Sequence, residues 1–105
     1  MTDKLLVLST AGSEAEAQKI AHALVDRRLA ACVNIVPKIQ SVYRWKEEIE
    51  TAEEFLLIIK TVRGREEQVR ATIQELHSYE LPECIAIEVD GGSKEYLDWI
   101  GDSVL

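Results

Sequence analysis

The nine residues from Glu75 to Glu83, ELHSYELPE, gather most of the side chains able to do chemistry in this sequence. They include His77, one of two histidines in the chain, together with Tyr79, Pro82 and the carboxylates Glu75, Glu80 and Glu83. Imidazole beside carboxylate suits copper, zinc or nickel, and the affinity of such a set peaks at copper. A structural metal needs about four converging ligands. One loop with a proline in it offers too few, so a neighbouring subunit would have to complete the shell. The competing reading is mechanical. A histidine at a helix C-terminus favours the last carbonyls, and the chain then turns into an edge strand.

Outside this stretch the sequence offers little that could react. Cys32 and Cys84 are isolated, with no CxxC pair, so zinc-finger spacing is absent. Both fall in strand patterns, where a buried, inert thiol is the ordinary outcome. His22 falls off the apolar stripe of its helix. No nucleophile elbow, dinucleotide loop or phosphate loop appears. No catalytic residue is assigned.

The net charge of −7 and pI near 4.8 disfavour a nucleic-acid partner. No apolar run approaches the ~20 residues of a membrane span. The N-terminal MTDKLLVLST reads as a strand rather than a signal peptide. The expected compartment is therefore the cytoplasm, with both thiols reduced. A length of 105 residues with 47% hydrophobic content is enough for one globular domain spanning 1–105.

Periodicity supplies the elements that must position these groups. KLLVLST (4–10) is a short strand. Ser13 with Glu16 forms a capping box, the hydroxyl taking the N3 amide and the carboxylate reaching back. A helical stripe of Ala17, Ile20, Ala21, Leu24 and Val25 runs on towards Arg28. LAACVNIVP (29–37) returns to strand composition, and Pro37 predicts a bulge or bend. Residues 31–61 read as one long bent hairpin, reversing in the polar KEEIE. REEQVRATIQELH (65–77) is a second helix. ECIAIEV (83–89) is a last strand, and Ser93 is expected to cap a final short helix.

The order is βαββαβ plus a C-terminal helix. This is an α+β, ferredoxin-like split βαβ fold with an antiparallel four-stranded sheet and both main helices on one face. The second and fourth strands then form the two edges. A long apolar edge invites pairing with another chain. Pairing the second strand of one copy with the fourth of the next is a heterologous contact that must close into a ring, so a homo-oligomer is expected. Acylphosphatases share this topology, but the STAGSE turn lacks their arginine. RNA-recognition modules share it too, but EEFLLIIK lacks stacking aromatics.

Five segments in register, AACVNIVP (30–37), SVYRWKEEIE (41–50), IIKT (58–61), HSYELPE (77–83) and EYLDWI (95–100), resemble the CutA family of divalent-cation tolerance proteins. The resemblance covers nearly the whole chain. It implies a homotrimer, no enzymatic activity, tolerance of copper and other divalent cations, and a trimer resembling PII signalling proteins. It also implies a Cu(II) or other divalent-cation site at His77 and Glu83. An intersubunit ligand cleft would be lined by Tyr43, Trp45, Lys60, Tyr79 and Trp99. The sequence departs from the family pattern at the ligands themselves. Ser9 stands at a cysteine position, Leu76 at a histidine position, Ser78 at a proline and Glu47 at a glycine. The alternative reading is a PII-like module holding a small anion through Lys60, Arg44 or Arg63, or an assembly scaffold.

Overall fold

The computed structural model describes residues 2–105. In chain order the elements are β1 (Lys4–Ala11), α1 (Glu14–Asp26), β2 (Cys32–Trp45), β3 (Glu48–Val62), α2 (Glu66–Leu76), β4 (Ile85–Glu88) and α3 (Lys94–Ser103), with a single 3-10 turn leading into α2. The four strands lie in the order β2-β3-β1-β4, and every neighbouring pair is antiparallel. This is the α+β arrangement expected from the sequence, with β2 and β4 at the edges.

Strand alternation divides the sheet into two faces. Leu5, Val7, Ser9 and Ala11 of β1, with Leu57, Ile59 and Thr61 of β3, point to the helices and are buried. Ala17, Ile20 and Leu24 of α1 and Val69 and Ile73 of α2 close over them in one cluster. The opposite face is also apolar. Register places Leu6 beside Ile87 and Leu8 beside both Ile85 and Ile58, yet Ile85 and Ile87 remain exposed.

Ser9 is the exception in the core. It is 0% exposed, and its Oγ has no hydrogen-bond partner among the described residues. An orphaned buried hydroxyl costs more than an apolar atom in its place. Ser9→Ala is therefore expected to stabilise the fold by about 1 kcal/mol, read as a higher urea midpoint with an unchanged m-value.

β2 and β3 form the long hairpin. Register shifts between Val36 and Ile39, where Pro37 withholds a donor and Lys38 takes a φ of 58°. The reversal is made by Lys46 and Glu47, with φ of 50° and 73°. Both are left-handed, as a two-residue type I′ turn demands. A Cβ there costs about 1 kcal/mol. Glu47→Gly is expected to recover about that much, visible as a rise in thermal midpoint.

Three local expectations change. The Ser13 hydroxyl does accept from the Glu16 amide at 3.2 Å, but the Glu16 carboxylate does not reach back. It leaves the helix for residue 78. Ser93 occupies the N-cap position of α3 without a side-chain capping bond. β4 is only four residues long, because Pro82 and the preceding turns delay pairing with β1 until Ile85.

Candidate functional site: an acidic cleft with aromatic walls

The end of α2 is held by His77. Its side chain is fully buried. Nε2 donates to the Thr10 carbonyl at 2.6 Å, and Nδ1 accepts from the Tyr79 amide at 3.1 Å. The ring thus ties β1 to the segment after α2. Glu16 of α1 supports the same corner, accepting from the Ser78 amide and the Ser78 hydroxyl, each at 3.1 Å. Both ring nitrogens are engaged, so neither offers a lone pair to a cation. In this arrangement His77 acts as a strut between β1 and the segment after α2.

His77 fixes Tyr79, whose ring lies 4.6 Å from the imidazole, centroid to centroid. The Tyr79 hydroxyl donates to Glu54 Oε2 at 2.6 Å. This reach depends on Gly12, where a Cβ would stand 3.0 Å from the hydroxyl oxygen. Burial raises the Tyr79 pKa, and the bond to the Glu54 carboxylate raises it further, so the phenol stays protonated.

These groups open into a cleft of about 930 Å³ between the far end of the β2–β3 hairpin and the segment leading into β4. Tyr43, Trp45 and Tyr79 supply its rings; Glu54, Glu80 and Glu83 supply its carboxylates. No lysine or arginine lines it. Burial raises the Glu83 pKa, and the nearby Glu54 charge raises it further. Glu54 is only 6% exposed, and no ion pair to it is seen among the described residues. Burial likewise raises the Cys84 thiol, the main effect, so it stays protonated at the cleft wall.

The structure brings together Tyr43, Trp45, Tyr79 and Glu83 of the expected set. It does not bring Lys60 or Trp99 to them within one chain. Lys60 lies six residues along β3 from Glu54, about 20 Å at the usual rise. Its ammonium donates to the Tyr96 hydroxyl at 3.2 Å and lies 5.4 Å from that ring. Trp99 stacks beside Tyr96 at 5.3 Å. Arg63 pairs with Glu88 at 3.2 Å. An anion therefore finds no lysine or arginine among the residues that line this cleft.

Glu54 was not singled out in the sequence, although a signal existed. It shares strand parity with Leu56 and Ile58 on the open face, so it is a lone carboxylate at an apolar-facing position. Among the described residues, no three His, Cys, Asp or Glu side chains converge as a metal shell. No helix among them is long and apolar enough to cross a membrane.

Residues 5–103 match the family described as CutA1 divalent ion tolerance protein. The chain is 44% identical over 98 residues to the divalent-cation tolerance protein CutA of Thermus thermophilus, covering 93% of this chain and 95% of that one. It is 40% identical to the chloroplastic protein CutA of Arabidopsis thaliana, of which it spans 54%. Among solved structures, CutA from Xylella fastidiosa superposes with a TM-score of 0.96 at 41% identity, covering 98% of this chain and 99% of that one. The periplasmic divalent cation tolerance protein CutA from Archaeoglobus fulgidus gives 0.94 at 42% identity, over 97% and 99%.

Proposed function

The chain belongs to the CutA1 divalent ion tolerance family, and from that premise we propose that it is a non-enzymatic, homotrimeric, cytoplasmic divalent-cation tolerance protein whose acidic cleft receives the cation. The observation that carries this reading is the buried carboxylate of Glu54 beside Glu83, with no basic side chain in the lining. Partial burial and the nearby Glu54 charge disfavour the ionised form of Glu83, and a cation between the two carboxylates relieves this. One chain supplies too few ligands for a closed shell, so water and a neighbouring subunit complete it. The exposed apolar sheet face and the two open edges support assembly with further copies.

The donors on hand are oxygens, which suit a hard divalent cation better than copper. The softer donors that favour copper are missing. His77 is hydrogen-bonded at both nitrogens, and Ser9 is walled into the core. Cu(II) is then taken up more weakly here than at an imidazole or thiolate site.

The test is calorimetric titration of metal-stripped protein with Mn(II) and Cu(II), with the assembly mass measured by light scattering. The expected result is a three-chain mass and saturable uptake, weakened about tenfold or more in Glu83→Gln. The pH dependence follows from the sign of the Glu83 shift. Its folded-state pKa lies above the unfolded one, so its contribution to stability is full below the unfolded value and is lost as pH rises through the folded value. Glu83→Gln should accordingly raise the thermal midpoint at pH 7, with the gain vanishing as pH falls into the carboxylate range. Uptake by the variant equal to that of the parent would remove Glu83 from the site.

A further inference from the structure

We propose that the cleft also binds an organic cation, an alkylammonium or guanidinium on an apolar stem. This rests on the reading of the cleft as the chain's cation site and names a ligand class beyond metal ions. Glu54 is buried, is bonded only to a neutral phenol and has no cationic partner in the described structure. A buried carboxylate without a counter-charge is costly, and within one chain it lines an open cleft. Within one chain no three such ligands converge among the described residues, so a metal ion here depends on water and a neighbouring subunit to complete its shell. An ammonium or guanidinium needs less: one or two carboxylates for its N–H groups and ring faces for its charge and stem.

The ring faces are present. Trp45, Tyr43 and Tyr79 line the same cleft as Glu54, Glu80 and Glu83. The chain's own Lys46 shows the mode of contact at the rim. Its ammonium lies 5.6 Å from the centroid of the Trp45 ring and 3.9 Å from a Glu80 oxygen. Both partners of that ion pair are largely solvent-exposed, at 71% and 74%, so the pair is weak and an incoming cation can displace it. Deeper in, Glu54 and Glu83 have no such lysine. A ligand with two cationic ends separated by a short alkyl chain fits this layout, one end at the buried Glu54 and half-buried Glu83 and the other at Trp45 and Glu80.

Calorimetry on the assembled protein tests this with agmatine and 1,4-diaminobutane, with 1,4-butanediol as the neutral analogue and sodium chloride holding ionic strength constant. Expected are saturable uptake of both cations, none of the diol, and weakening of about tenfold or more in Glu54→Gln and in Trp45→Leu. Glu54→Gln keeps an acceptor for the Tyr79 hydroxyl and so preserves the fold. Lys46→Met removes the internal competitor and should tighten binding. Heats no larger than those of the diol, or equal affinity in Glu54→Gln and Trp45→Leu, overturn the inference. A neighbouring chain's side chain filling the cleft gives the first of these results. Mn(II) titrations on the same samples separate the two readings. Metal uptake without amine uptake overturns only the organic-cation inference; uptake of neither overturns both.

Discussion

His77→Ala is expected to destabilise the protein by about 3 kcal/mol, the largest single effect of any residue around the cleft. The substitution leaves the Thr10 carbonyl and the Tyr79 amide without the partners they have at 2.6 and 3.1 Å. Each buried group left unmatched costs about 1–3 kcal/mol, and loss of the packed ring adds a cavity. The imidazole side chain is wholly out of solvent, so water does not simply take its place. Urea denaturation measures the loss. Cation uptake under folding conditions should meanwhile change little, since the ring is a strut and not a ligand. A His77→Ala protein of parental stability but without cation uptake would reverse that assignment.

The second large effect is expected in Tyr79→Phe, with a loss of about 2 kcal/mol. The hydroxyl makes a 2.6 Å bond to a carboxylate that is 6% exposed. Hydrogen bonds to buried charge are worth about 1.5–3 kcal/mol, and the orphaned partner here is the charge itself. Glu54→Gln in the Tyr79→Phe background should recover part of the loss, because an unpaired amide costs less to bury than an unpaired carboxylate. A double-mutant cycle by chemical denaturation measures this coupling. Additive effects would mean that the bond contributes nothing to stability.

The fold was legible because its signals are local. Alternation in KLLVLST and EEFLLIIKT, the helical stripe after Ser13 and Pro37 inside a strand pattern each correspond to an element or bulge at the expected place. What escaped the sequence is long-range. Glu16 scored as the second half of a capping box, yet its carboxylate bonds to Ser78, sixty-two residues away. No local pattern distinguishes these two fates. His77 likewise offered ligand chemistry until its ring was seen between Thr10 and Tyr79. Lys60 and Trp99 belong to the intersubunit cleft that the family resemblance implies; within one chain strand length places Lys60 beside Tyr96, away from Tyr43, Trp45 and Tyr79. Glu54 stands among the other glutamates of the hairpin; its parity with Leu56 and Ile58 gives its face, but its burial and its bond to Tyr79 come only from the folded chain.

The most direct measurement is an anomalous-difference map from crystals of the assembled protein soaked in manganese(II). The expected peak lies within coordination distance of the Glu54 and Glu83 carboxylates, with the His77 ring still bonded to Thr10 and Tyr79. A peak on the His77 imidazole with the cleft empty, or no peak at any carboxylate of the cleft, would contradict the assignment of the cation to this site.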